Sequence, residues 1–325
     1  MQAIPTIEAI KKARERIKPY VHFTPVFSSS AINRICKASV YFKAENMQKV
    51  GAFKARGAVN AVFSLDQKEL KLGNGTYKGV ITHSSGNHAA ALAYAASCRG
   101  ITAHVVMPTN APPVKKAAVA GYGVEITFCP PTQKDREETM GEIMEKTGAI
   151  FVHPYDNPRV IAGQGTAAME LLEQIPEIDA VIAPVGGGGL LSGTALSVSG
   201  LKPSAKIYGA EPEKADDAYH SFHSGKIVPV ENPQTIADGL RTSLGELTFP
   251  LIREHVSEIL TVSETAIVEA MRLVWERMKL VIEPSAAVPL AALLTKRDLV
   301  EGEKIGLIVS GGNVDLDQLP WQGNK

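Results

Sequence analysis

Lys54 is the residue whose setting is hardest to explain as mere solubility. It stands in Gly51-Ala52-Phe53-Lys54-Ala55-Arg56-Gly57, behind an aromatic ring and among small residues, where a helical pattern begins. Desolvation lowers the pKa of an ammonium group, and a lysine that is to attack a carbonyl must first be neutral. The motif by itself is also compatible with an ordinary lysine at a helix N-terminus.

Three distant loops offer what such chemistry needs around it. Gly186-Gly187-Gly188-Gly189 lies between an apolar strand at 180–185 and a helix from Leu190. Consecutive glycines there let backbone N–H groups converge on an anion at the positive end of a helix. No Gly-Lys-Ser/Thr follows, and the spaced glycines of a dinucleotide fingerprint are missing, so the expected anion is a phosphate monoester. Thr82-His83-Ser84-Ser85-Gly86-Asn87-His88 offers hydroxyls and amides suited to a carboxylate, and Asn87 can donate to a phenolate-type oxygen. His83 and His88 read as packing or capping residues, because no acid or cysteine stands at ligand spacing. Ser310-Gly311-Gly312-Asn313 follows the last apolar run, 305–309; its hydroxyl can meet a ring nitrogen, although the pattern is also that of a generic strand-to-helix turn. A phosphate, a ring bearing an oxygen and a nitrogen, and an aldehyde for Lys54 together describe pyridoxal 5′-phosphate.

The elements that must position these residues alternate. Short apolar runs at 80–82, 103–107, 124–128 and 150–152 are separated by helical patterns at 89–98, 113–120 and 134–146. A longer rhythm follows, with a helix at 165–174, strands at 180–185, 206–210 and 305–309, and a helix at 264–279. Such alternation predicts an α/β fold of two parallel-sheet, three-layer domains. The smaller, residues 76–154, is expected to be inserted in the larger, 1–75 plus 155–325, with the cofactor between them. No internal repeat, low-complexity linker or appended regulatory module is apparent in the pattern.

Composition narrows the function classes. The 325 residues carry 34 basic and 34 acidic side chains with no basic run, which argues against nucleic-acid and membrane-surface partners. No apolar stretch is long enough to span a bilayer, and the N-terminus lacks a secretory pattern. Cys36, Cys98 and Cys129 are scattered and form no disulfide framework, so a reducing, cytoplasmic location is expected.

The four motifs in this order resemble the fold-type II (tryptophan synthase β-like) pyridoxal-phosphate enzymes, and within them the serine racemase and serine/threonine dehydratase family. The resemblance runs nearly end to end. It implies that Lys54 carries the cofactor, Phe53 packs by its ring, Gly186, Gly187, Gly188 and Gly189 hold the phosphate, Asn87 the 3′ oxygen, and Ser310 the pyridine nitrogen. Ser84, Ser85, Gly86 and Asn87 would grip the substrate carboxylate, and Arg136 matches an arginine used near domain closure. Ser85 stands at the family's second base, opposite Lys54, which implies serine racemisation together with β-elimination to pyruvate and ammonia. Glu211, the Ala215 carbonyl and Asp217 match a structural Mg²⁺ or Ca²⁺ site; read without the family, they also fit a solvated acidic turn. Ser29, Ser30, Lys49, Tyr122, Lys279 and Asn313 match an ATP effector site at a subunit interface, so a homodimer is implied. Val50 and Ala90 depart from that site's polar side chains, and Tyr155 replaces an expected asparagine.

Two other readings compete. One is a threonine or threo-3-hydroxyaspartate ammonia-lyase, which Arg241 would favour if it reached a second carboxylate in the cleft. The other is a non-catalytic amino-acid sensor, against which Lys54 and Ser85 both argue.

Overall fold

The computed structural model describes residues 4–71, 78–84, 86–111 and 113–322. Among the described residues, ten strands form two sheets. The larger contains β1 (Val26–Ser28), β2 (Ser39–Ala44), β7 (Ala180–Pro184), β8 (Lys206–Pro212), β9 (Glu258–Val262) and β10 (Lys304–Val309), in the order β1-β2-β10-β7-β8-β9. Only its β1–β2 pair is antiparallel. The smaller is parallel throughout, in the order β5-β4-β3-β6, from β3 (Val80–Thr82), β4 (Ala103–Pro108), β5 (Glu125–Cys129) and β6 (Ile150–Phe151). Every residue of β4 and of β7 is buried, as expected when helices cover both faces of a parallel sheet.

The helices fall between the strands. First come α1 (Ile7–Ile17), α2 (Ser30–Cys36), α3 (Lys54–Phe63) and α4 (Gln67–Leu70); then α5 (Asn87–Arg99), α6 (Pro113–Ala120) and α7 (Gln133–Thr147) of the smaller sheet. Returning to the larger sheet are α8 (Pro158–Gln174), α9 (Gly189–Leu201), α10 (Asp217–Ser224), α11 (Thr248–His255), α12 (Glu264–Met278) and α13 (Pro284–Thr295). The α/β class expected from the alternation is the one observed. No helix among the described residues is long and apolar enough to cross a membrane.

Three departures have physical reasons. Helix α8 starts well before residue 165, because the Asn157 side chain caps it by accepting from Arg159 N and Val160 N, with Pro158 in the first turn. Helix α13 escapes a periodicity search because it is buried on nearly all sides and carries Pro289 in its interior. The turn after β10 does not lead into a helix. Instead Gly311 bridges Ala52, Phe53 N donates to Ser310 O (3.0 Å), and Gly312 N donates to Gly51 O (2.9 Å). The end of β10 is thereby fastened to the segment that opens α3.

Below α3 lies a closed cluster of charge. The Arg56 guanidinium is fully buried and makes paired bonds to Glu45 (Nε 2.7 Å, Nη2 2.8 Å) and Glu170 (Nη1 2.7 Å, Nη2 2.8 Å). Lys43, also fully buried, donates to Glu170 (2.7 Å), the Thr24 carbonyl (2.7 Å) and Gln174 (2.9 Å). Burial opposes the charge on Arg56, but the two carboxylates more than offset it; for Glu45 the guanidinium likewise outweighs burial. These bonds tie the first turn of α3 to β2 and α8. The backbones also meet closely: a Cβ at Gly163 would lie 2.5 Å from the Arg56 carbonyl, and Gly57 N donates to Gln164 Oε1 (3.1 Å). Replacing Arg56 by Met would leave two carboxylates buried without their cation and should cost about 3–5 kcal/mol of stability in a urea unfolding curve. A loss below about 1 kcal/mol would show that the cluster is not fixing α3.

Candidate active site

A cleft of about 800 Å³ opens at the carboxyl ends of β3, β7 and β10, where ligands of open α/β sheets bind. Loops from both sheets line it, and with them the first turn of α3. Lys54 opens that helix. Its Nζ lies 5.2 Å from the centre of the Phe53 ring and donates to the Pro154 carbonyl (2.8 Å). Among the described residues no carboxylate pairs with it, and burial lowers its pKa to about 8. A half-buried lysine without a counter-ion and with a lowered pKa is a poised nucleophile.

Opposite, the four glycines join β7 to α9. Gly188 takes φ +88°, and a Cβ on Gly187 would lie 2.4 Å from the Tyr155 ring, so neither position admits a side chain. The Gly187 carbonyl accepts from Thr248 Oγ1 (2.9 Å) and α9 begins at Gly189, leaving amide groups at its N-terminus directed at the cleft. Ser310 Oγ, at the end of β10, is buried without a hydrogen-bond partner. An orphaned hydroxyl, a glycine cradle and a lysine of lowered pKa fit the ring nitrogen, phosphate and aldehyde of the cofactor inferred from sequence.

Asn87 is the first residue of α5 and is already engaged. It donates to both Glu283 oxygens (3.0 and 3.3 Å) and accepts from Asn313 Nδ2 (2.9 Å). Ser84 and Gly86 line the cleft, whereas Ser85 lies outside the described residues. Arg136 is not part of the cleft wall; its Nε donates to the Thr132 carbonyl (3.3 Å), and Glu137 beside it lines the cleft instead.

Two lining residues discussed here, Glu283 and His153, escaped the sequence reading. Glu283 orients Asn87, and its only signal was a carboxylate directly before a helix-opening proline. His153 accepts at Nδ1 from Asp156 N (2.8 Å), which places its proton on Nε2. His88 donates from Nε2 to the Val152 carbonyl (3.0 Å). Burial lowers the pKa of His88 to about 3 and of His153 to about 4, and lowers that of His83 as well, so all three imidazoles are neutral at neutral pH. Tyr155, where an asparagine was expected, turns the wall beside the glycines aromatic.

Outside the cleft, Glu211 at the end of β8 and Asp217 at the start of α10 are both buried, with Ala215 buried between them. Glu211 accepts from Tyr219 N (2.6 Å) and Ala218 N (3.3 Å), while neither Asp217 oxygen has a close partner. Burial pushes the Asp217 pKa up to about 7 and, with Asp217 beside it, that of Glu211 well up. A second cavity of about 610 Å³ contains Tyr122 and Asn313 but not Ser29, Ser30, Lys49 or Lys279. Ser29 caps α2, and Lys279 donates to the Glu276 carbonyl.

The model of the family described as pyridoxal-phosphate dependent enzyme matches residues 17–311. The chain belongs to that family. It is 52% identical to the β-hydroxyaspartate dehydratase of Paracoccus denitrificans (strain Pd 1222), covering 98% of this chain and 99% of the relative. It is 50% identical to a serine racemase of Dictyostelium discoideum, covering 97% and 96%. The solved structure of maize serine racemase superposes with a TM-score of 0.93 at 47% identity, over 97% of this chain and 95% of the other. Family membership and the fit of the cleft make pyridoxal 5′-phosphate the cofactor. The Lys54 assignment then predicts that Lys54→Ala loses both turnover and the visible absorption of the bound cofactor. It also predicts a pH dependence: because only the neutral amine attacks the aldehyde, cofactor capture by the stripped protein should accelerate with pH and level off above about 8. A plateau near the pKa of free lysine, ~10.4, would refute the desolvated setting.

Proposed function

We propose that this enzyme interconverts L- and D-serine and, from the same site, eliminates the β-hydroxyl of L-serine, water leaving and returning as pyruvate and ammonia form. The observation that carries this reading is the Lys54 amine, half-buried, without a counter-ion among the described residues and held on the Pro154 carbonyl at the edge of the cleft. When bound, the cofactor supplies an electron sink for the bonds at the amino-acid Cα. The chain supplies the rest. Lys54 takes or returns the Cα proton on one face, and Ser85 is assigned the other. Ser84, Gly86 and Asn87 hold the carboxylate at the start of α5. Ser310 donates a hydrogen bond to the ring nitrogen without holding it protonated, as an acid would. The neutral His83, His88 and His153 add no competing cation near Lys54.

A second reading, 3-hydroxyaspartate ammonia-lyase, is favoured by the Paracoccus relative and by Arg241. Its Nε and Nη2 are held on the Thr235 carbonyl (3.0 and 2.5 Å) in the cleft wall, which leaves Nη1 for a second carboxylate. Chiral analysis of products from L-serine, L-threonine and L-threo-3-hydroxyaspartate separates the two. Ser85→Ala should suppress D-serine formation far more than pyruvate formation; an equal fall in both would reduce Ser85 to a positioning role.

The Glu211–Asp217 pair supports a structural Mg²⁺ or Ca²⁺, held by the two carboxylates and the Ala215 carbonyl, since two buried acids are costly without a cation. Chelation should lower the melting temperature, Mg²⁺ or Ca²⁺ should restore it, and Asp217→Asn should abolish the response. Val281 is exposed beside Asn46, which donates to its carbonyl, and Met47, next to Asn46 in sequence, is exposed as well; these apolar side chains support a homodimer. An ATP effector is supported here only by Tyr122 and Asn313, since among the described residues no Lys or Arg lines the second cavity.

A further inference from the structure

The segment between β6 and α8 carries the chain from the smaller sheet back to the larger, and it touches each part of the cleft. Pro154 holds Lys54 Nζ by its carbonyl, and Tyr155 packs on Gly187 and Gly189. What fixes this segment is Asp156. Its Oδ1 accepts from Leu247 N (2.9 Å) and Thr248 N (3.2 Å), and its Oδ2 from Glu246 N (3.1 Å). Helix α11 has no capping side chain of its own, since its N-cap residue is Leu247. Asp156 supplies the missing cap from across the fold, as a carboxylate at the positive end of a helix. Room for it is specific: a Cβ on Gly245 would lie 2.2 Å from the Asp156 carboxyl carbon. The same helix start holds the phosphate cradle, because Thr248 Oγ1 donates to the Gly187 carbonyl (2.9 Å) and a Cβ on Gly188 would lie 2.7 Å from Thr248.

We propose that Asp156 is a positioning residue for catalysis: by closing the N-terminus of α11 it sets both the carbonyl on which Lys54 rests and the glycine cradle. Each bond runs from a charged acceptor to a backbone amide that has no alternative partner within its helix, so its loss is felt at both ends. The inference rests on the cofactor occupying the cleft and is independent of which amino acid is the substrate.

The test uses the full-length protein stripped of cofactor and titrated with pyridoxal 5′-phosphate, with the dissociation constant followed by cofactor absorbance. Asp156→Ala should weaken cofactor binding by about tenfold or more, the scale of a lost charge-assisted hydrogen bond. Asp156→Asn, which keeps one acceptor, should recover part of that loss. Thr248→Val should also weaken binding, and the double variant should be no worse than Asp156→Ala by more than about twofold if the two act through one helix start. In the loaded enzyme kcat should fall while KM for the amino acid stays near the parent value, since the carboxylate grip lies on α5. A purely structural Asp156 would lower the melting temperature yet leave the cofactor dissociation constant and the kcat-to-KM pattern unchanged. That outcome, or fully additive losses in the double variant, overturns the proposal. If Asp156→Ala does not fold, Asp156→Asn and Thr248→Val are read by the same criteria.

Discussion

The geometry of the cleft depends on where α3 begins, and that depends on a guanidinium with no access to water. Arg56 lies two residues beyond Lys54, so anything that fixes the one fixes the other within half a helical turn. Glu45 comes from the segment after β2, and Glu170 from α8, while Lys43 completes the charge balance from β2 itself. A hydrophobic contact can slide; four charged groups with matched donors and acceptors have one good arrangement. The cluster is better understood as a fixture for register than as a source of stability, since buried ion pairs recover little beyond their desolvation cost.

Immediately around Lys54 the arrangement differs, and charge is disfavoured. Burial leaves Lys54 with a depressed pKa and holds three imidazoles neutral, while the nearest anchors are a carbonyl, a hydroxyl and backbone amides. In such a site the phosphate and carboxylate that arrive with the ligands become the dominant charges, and fixed dipoles receive them without rearrangement. The fold thus gathers a closed ion cluster beneath α3, while above it the groups nearest Lys54 are dipoles and the cleft's own ions, Glu283 among them, are held on neighbouring side chains.

Much of this was legible in the linear chain because the relevant signals are local. Four adjacent glycines, a lysine between small residues, and strands of uninterrupted apolar character all report their own surroundings. Thr6 as the cap of α1 is of the same kind, its side chain accepting from Ala9 N. What stayed hidden was long-range. Nothing near Asp156 announces that it caps a helix beginning at Thr248, and nothing near Glu283 announces that it meets Asn87. The short edge strand β9 and the proline-bearing α13 were missed because each is specified by neighbours brought in from far away. Arg136, matched to an arginine used near domain closure, donates here to the Thr132 carbonyl at the start of its own helix.

The position of β10 has a consequence for how the chain comes into being. Among the described strands of the large sheet it is the last in sequence, yet it lies between β2 and β7, pairing with both. Until it leaves the ribosome, β2 and β7 have no shared neighbour, Ser310 is missing, and Ala52 has nothing to bridge. Sheet closure of this kind joins residues from the two ends of the chain and is slow to nucleate. The cleft is therefore completed late: the wall that β10 contributes, and the bonds by which Ser310 and Gly312 fasten the segment ahead of α3, form only once distant parts of the chain have met.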